Sequence, residues 1–257
     1  MTANLMIVED DDRVRAALRL AMEDEGYDVA EAEEAEVALE QLREHGAPDV
    51  VIIDLMLGDM DGFTCIREIR KDHDVPIIVV SARDDTHDVV AALEAGADDF
   101  ITKPFEVKEI TARMRAVRRR MHAGAAGQAD SLRAFNRADE RAADDTEDRE
   151  ITTMVLDDHG DASLILSPDS GTVRRGDDEI HLTLTEYRLL CELAESPGRV
   201  LSRAGLLERV WDRGFFGDER IVDVHIRRLR TKIERDPSDP HLVVTVRGLG
   251  YRLDPQR

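Results

Sequence analysis

From Leu5 to Lys103, short apolar runs alternate with longer amphipathic stretches, which is how a parallel sheet with crossover helices reads. The runs are Leu5 to Val8, Val50 to Ile53, Ile77 to Val80 and Phe100 to Ile101, with a weaker one at Asp28 to Ala30, so five strands are expected. Helical periodicity falls on Arg13 to Asp24, Glu34 to His45, Phe63 to Lys71, Thr86 to Ala95 and Val107 to Arg120. Several of these segments end in Gly or precede Pro, as helices tend to. The pattern predicts one doubly wound α/β domain over residues 1–120.

The pattern then changes. Residues 121–152 carry Gly124-Ala125-Ala126-Gly127 and scattered Ala, Asp, Glu and Arg without apolar periodicity, the composition of a solvated, acidic linker. A flexible chain of that length would span roughly 30 Å. The alternative is a charged surface helix over Asp130 to Ala143. Beyond it, strand-like runs at Leu164 to Leu166, Thr172 to Arg174 and Ile180 to Leu182 are separated by turn residues and predict a small antiparallel sheet. Helical patterns follow at Thr185 to Ala194, Arg203 to Val210 and Glu219 to Glu234, and Val243 to Val246 with Tyr251 to Leu253 suggest a hairpin. Residues 153–257 are thus expected to form a second, α+β domain.

The charge distribution changes what this second domain is expected to bind. The formal charge of −21 over 257 residues argues against nucleic acid, because polyanion binding requires Lys and Arg. However, residues 1–120 carry 29 acids against 15 bases, residues 121–152 carry 8 against 4, and residues 153–257 carry 19 against 16. Most of the negative charge belongs to the first domain. Cys65 and Cys191 stand far apart with no metal-site or disulfide pattern, which fits a reducing cytoplasm. The opening apolar stretch meets Glu9, Asp10, Asp11 and Asp12 too soon for a signal peptide or membrane span, and no later run reaches spanning length. No membrane association is expected.

Candidate chemistry gathers at the carboxyl ends of the predicted strands, where ligands of parallel α/β sheets bind. Glu9 and Asp10 follow strand one, Asp54 strand three, Ser81 strand four and Lys103 strand five. Three carboxylates in one crevice call for a compensating cation, and an all-oxygen donor set suits Mg²⁺. Asp54 is then a plausible nucleophile toward a phosphoryl donor, with Lys103 offsetting charge and Ser81 hydrogen-bonding the product. Singly, each residue has a plainer role: acids after strands often cap helices, and a lone Lys or Ser is usually solvated or capping.

Jointly, the residues resemble the receiver domain of bacterial two-component response regulators. The resemblance rests on Ile7-Val8-Glu9-Asp10-Asp11, Asp54-Leu55-Met56-Leu57 with Asp61-Gly62, Ser81-Ala82-Arg83, and the run from Gly96-Ala97-Asp98-Asp99-Phe100 to Thr102-Lys103-Pro104-Phe105. It implies a flavodoxin-like (βα)5 fold with Asp54 as phosphoacceptor. It further implies Mg²⁺ held by Asp10, Asp54 and the Met56 carbonyl with Glu9 acting through water, Lys103 on the phosphoryl group after a cis Lys103-Pro104 bond, and Ser81 and Phe100 as a switch pair whose ring turns inward. Such a protein phosphorylates itself from a sensor histidine kinase and slowly loses the group, and is not a turnover enzyme. Two departures stand out: Gly58 replaces the usual Pro, and Val89 replaces a basic residue, leaving Glu109 without its usual mate. Asp98 and Asp99 with Arg113, Arg118 and Arg120 remain for a dimer face.

On the last long helix, about 100° per residue places Val222, Ile226, Leu229 and Ile233 on one stripe, with Arg220, Val224, Arg227, Arg228 and Thr231 opposite. Residues 220–235 hold six bases against two acids. The stretches Leu182 to Leu190, Val222 to Arg230 and Thr245 to Tyr251 resemble the effector domain of the OmpR/PhoB family, a winged helix-turn-helix whose last helix enters the major groove. The resemblance implies base contacts by Arg228 and, from the wing, Arg247, and phosphate contacts by Arg220, His225, Arg227, Arg230, Thr245 and Tyr251. It also implies promoter DNA arranged as direct repeats, a homodimer when phosphorylated, and RNA polymerase facing the loop from Trp211 to Asp218, where plain core packing of Trp211, Phe215 and Phe216 is the alternative. Two other functions are disfavoured. A haloacid-dehalogenase-type phosphatase wants an acid two residues after its nucleophile, where Met56 stands, and a flavodoxin-like cofactor site would not place acids in its first phosphate loop.

Overall fold

The structure, a computed structural model, describes residues 3–58, 60–83, 85–111, 113–114, 153–158, 162–168, 170–211 and 219–256. The chain divides into two units, Met1–Arg115 and Ala116–Arg257. The expected linker, residues 121–152, lies outside the described residues.

The first unit is built on five parallel strands: β1 (Ala3–Val8), β2 (Tyr27–Ala32), β3 (Val50–Ile53), β4 (Ile77–Ser81) and β5 (Asp99–Thr102), in the order β2-β1-β3-β4-β5. β3 and β4 are buried at every position, as central strands covered on both faces must be, whereas β2 at the edge is mostly not. The connecting helices are α1 (Asp12–Asp24), α2 (Ala35–His45), α3 (Gly62–Asp72) and α4 (Thr86–Ala95), and helical backbone resumes at 107–111. Asp11 starts α1, its carboxylate accepting the backbone N–H groups of Arg13 and Val14. Because β2 and β3 both flank β1, the connections leave β1 and β3 toward opposite faces and open a crevice at their carboxyl ends.

The second unit opens with an antiparallel sheet, β6 (Met154–Asp157), β7 (Leu164–Ser167), β8 (Thr172–Arg175) and β9 (Asp178–Glu179), in that spatial order. β6 was not among the expected strands, and β9 falls earlier than the expected Ile180 to Leu182. Past Ile180, whose N–H still reaches the Val173 carbonyl, the chain turns into the Thr183 cap of the next helix. The helices are α5 (Leu184–Ala194), α6 (Arg203–Trp211) and α7 (Arg220–Ile233). Thr183 and Glu186 form a capping box on α5, each side chain taking the other's backbone N–H. A hairpin of β10 (Val243–Val246) and β11 (Gly250–Leu253) closes the unit as the wing, and Leu201 makes an isolated antiparallel bridge to Tyr251. That close approach fixes Gly250: its φ is +145°, and a Cβ there would lie 2.0 Å from the Leu201 carbonyl oxygen.

Candidate functional site: an acidic crevice and a basic helix

Strand register assembles the crevice. Val8 pairs with Ile53, so Glu9 and Asp54 leave adjacent strands side by side, and the Asp54 N–H donates to the Val8 carbonyl. Ser81 pairs with Thr102 on the other side, and the Lys103 N–H donates to the Ser81 carbonyl at 2.7 Å, which aims the lysine across the crevice. The Lys103-Pro104 peptide is cis, as the sequence resemblance implied.

Lys103 Nζ lies 2.6 Å from Asp54 Oδ2 and 2.8 Å from Glu9 Oε2. Glu9 and Asp54 are only 1% and 4% exposed, while Asp10 is exposed at the mouth. Burial pushes the Glu9 carboxyl above its usual range, although the Lys103 ammonium pulls the other way. Burial acts against the Lys103 ammonium too, but its contacts with Asp54 and Glu9 outweigh it and hold the pKa up. The other Asp54 oxygen accepts the Met56 N–H at 3.0 Å, so the carboxylate is fixed at both ends. The Met56 side chain itself is 52% exposed and contributes nothing inside.

Carboxylate oxygens of Glu9, Asp10 and Asp54 all come within 4.8 Å of one another. Hard oxygen donors with two of three acids buried and one ammonium among them fit a hard divalent cation such as Mg²⁺. Ser81 is fully buried, its hydroxyl only 3.5 Å from the Arg83 N–H, a long contact that holds it weakly. Phe100, the expected switch partner of Ser81, is buried as well.

Two residues outside the expected set of site residues serve this region. Arg15 donates to the Glu9 carbonyl at 2.6 Å and pairs with Asp12, bracing the acidic loop. The only hint in the sequence was an Arg one turn into α1. The second is Gly62, part of the Asp61-Gly62 pair but given no role there: a Cβ would lie 2.5 Å from the Asp54 carbonyl oxygen, so α3 can start beneath the acceptor only with glycine.

The comparisons with known proteins agree with this geometry. The family described as response regulator receiver domain matches residues 5–115, and that described as transcriptional regulatory protein, C terminal, matches residues 177–253. The transcriptional regulatory protein AfsQ1 of Streptomyces coelicolor is 41% identical over 252 residues, covering 98% of each chain. The chain belongs to the OmpR/PhoB family of response regulators. The transcriptional regulatory protein CseB of the same organism is 43% identical over 250 residues, 97% of each chain. Among solved structures, a RitR mutant matches with a TM-score of 0.68 at 25% identity, covering 98% of this chain and 99% of that one.

The effector domain of this response regulator presents a smaller basic face than the sequence suggested. Arg220, Arg227, Thr231, Thr245 and Arg247 are exposed. His225 is 0% exposed, its ring 5.3 Å from that of Trp211, so it packs the core and cannot reach a phosphate without opening it. Val224, expected on the outer face, is buried as well. Tyr251 is buried beneath the wing, where its hydroxyl donates to Asp223 Oδ1 at 2.5 Å, with the Arg203 and Arg230 guanidinium groups over its ring at 5.0 and 5.6 Å. Arg230 is spent in part on the wing, donating to the Val243 carbonyl and Thr245 Oγ1 at 2.8 Å each. Arg228 stands 3.0 Å from the buried Glu186. In the stretch from Trp211 to Asp218, Trp211 is buried, and residues 212–218 lie outside the described residues.

The expected dimer face is also altered. Asp98 is buried and pairs with Arg70 at 2.7 Å while accepting the Ile77 N–H at 3.0 Å, an internal tie between α3 and the sheet. Asp99 takes Arg113 at 2.9 Å, and the same guanidinium reaches Glu109 at 2.9 Å, so Glu109 has a mate one turn along its own helix. Arg118 and Arg120 lie outside the described residues. Among the described residues no helix is long and apolar enough to cross a membrane.

Proposed function

We propose that this DNA-binding response regulator accepts a phosphoryl group on Asp54 from a phosphohistidine of a sensor kinase, and that the modified receiver controls promoter binding by the winged helix. The observation carrying the reading is the single ammonium of Lys103 held between the buried carboxylates of Asp54 and Glu9. The Asp54 carboxylate attacks phosphorus, a carboxylate oxygen to phosphorus bond forms, and the bond to the histidine nitrogen breaks. Lys103, already 2.6 Å from Asp54, meets the oxygens that gain charge. A Mg²⁺ ion held by Asp10, Asp54 and the Met56 carbonyl, with Glu9 through water, would supply charge neutralisation to the same oxygens.

After transfer, the Ser81 hydroxyl gives up its long contact with the Arg83 N–H for a phosphoryl oxygen, and the buried Phe100 ring repacks with it. Such a rearrangement biases the receiver toward a homodimer, and two effector domains then engage direct repeats together, recruiting or blocking RNA polymerase in the cytoplasm. The protein is modified once and resets by hydrolysis, and is not a turnover enzyme. The test is the intact mass after incubation with Mg²⁺ and acetyl phosphate. Wild type should gain one phosphoryl group and Asp54→Ala none. A gain by both, or by neither, would overturn the assignment of Asp54.

A further inference from the structure

Three side chains of the α7 region tie that helix to the wing. Glu234, at its C-cap, accepts the N–H groups of His241, Leu242 and Val243 at 3.0, 3.1 and 2.8 Å and so holds the base of the hairpin. Arg230, one turn earlier, donates to the Val243 carbonyl and to Thr245 Oγ1 on β10. Asp223, in the first turn, accepts the Tyr251 hydroxyl of β11 at 2.5 Å and Arg203 Nε of α6 at 2.7 Å, both on Oδ1. From Asp223 to Glu234 the helix rises roughly 16 Å, so the hairpin is gripped at points far apart. Tyr251 lies opposite Thr245, next to the Val246–Gly250 pair that ends the ladder, and the turn beyond exposes Arg247 and Leu249.

The tie beside the tip is the strongest in kind, because a hydroxyl donating to a carboxylate makes a short, charge-assisted hydrogen bond. Arg203 reinforces it, pairing with the same carboxylate while its guanidinium lies 5.0 Å over the Tyr251 ring. The Leu201 bridge holds the Tyr251 backbone to the segment before α6, whereas the hydroxyl holds it to α7 itself. At 4% exposed, Tyr251 has little surface of its own to offer DNA. We propose that Tyr251 is a specificity-determining positioning residue, which through Asp223 holds the wing at one angle to α7 so that helix and wing meet their bases at one fixed separation. Two readers locked into one body lose less freedom on binding and tolerate no shift between their sites. This rests on the DNA-binding reading and adds to it the joint that sets the geometry between its two reading elements.

The experiment is selection of binding sites from random-sequence duplexes by the full chain, with Mg²⁺ and acetyl phosphate present, followed by affinity for the enriched duplex and for a scrambled one. Wild type, Tyr251→Phe, Arg247→Ala and the double variant are compared. Phe keeps the ring and the backbone bridge and removes only the hydroxyl. Base positions whose preference Arg247→Ala loses are those read from the wing. Tyr251→Phe is expected to lose preference at those positions and to keep it at the others. Its affinity for the enriched duplex falls about fivefold, and its affinity for the scrambled duplex is little changed. The double variant is no worse than Arg247→Ala alone, because the joint then has no reader to place. Selection of the wild-type site unchanged by Tyr251→Phe would overturn the proposal alone. Preferences lost at every position together, equal losses on both duplexes, or additive losses in the double variant would show a merely structural role and overturn it too. A site that Arg247→Ala selects as wild type does would also overturn it, since the wing then reads no base. No enrichment by wild type would overturn the sequence-reading function beneath it.

Discussion

Lys103 is the residue on which the acidic crevice turns. Two buried carboxylates flank it, and removing the ammonium leaves both without their nearest positive charge. Lys103→Ala should therefore lower the receiver's stability to urea by about 3 kcal/mol in a chelator, and millimolar Mg²⁺ should restore much of that loss. Unfolding curves with and without the metal check this, and a variant insensitive to Mg²⁺ would speak against a cation site formed by Glu9, Asp10 and Asp54. In the effector domain the telling residue is Tyr251. Burial first, and then its hydrogen bond to Asp223, push its phenol up to about 12. The unfolded phenol titrates near pH 10, so the folded state holds this proton more tightly. That stabilisation is fully present below about pH 10 and is lost as pH rises toward about 12. The stability advantage of wild type over Tyr251→Phe should close across that window, and a gap independent of pH would contradict the assignment.

At the scale of elements, what could be read from the chain was what repeats. β3 and β4 are continuous apolar runs and were legible because both their faces are covered; Val222, Ile226, Leu229 and Ile233 lie on the buried stripe that helical periodicity requires. β6 escaped because only its last two positions are buried and its register shifts between Val155 and Asp157. His225 was assigned outward through resemblance alone, although it sits three residues from Val222 and four from Leu229, the spacing of the buried face. Asp98 and Asp99 show the opposite limit. Neighbours on an extended chain point to opposite sides, which was foreseeable, but that Asp98 meets an Arg 28 residues earlier required the fold. The crevice was legible because each of its residues follows a strand end. Arg15 was not, since it acts on the Glu9 carbonyl, and the chain showed Gly62 as part of a motif without the backbone approach that requires it. The contrast between two glycines is a test at this scale. Gly62→Ala forces α3 off the Asp54 backbone and should cost roughly 1–3 kcal/mol in thermal or chemical unfolding. At Gly58, where nothing stands within 4 Å of a Cβ, Ala should be neutral or stabilise by up to about 1 kcal/mol.

For the whole molecule, a receiver that carries most of a −21 net charge is joined to a domain whose exposed arginines face a polyanion. Intrinsic electrostatics therefore oppose binding by a single copy, and under the proposed function the pairing of two effector domains on repeated sites would offset that opposition. The internal pairing of Asp98 with Arg70 and of Asp99 and Glu109 with Arg113 means that these acids are already neutralised within one chain. The most direct test of control by Asp54 is the affinity of the full chain for a selected duplex, measured with and without Mg²⁺ and acetyl phosphate, alongside Asp54→Ala. Affinity should rise about tenfold or more in wild type only, with a matching shift toward dimer on sizing. Confirmed phosphorylation of Asp54 with no change in affinity, or an equal gain in Asp54→Ala, would contradict it.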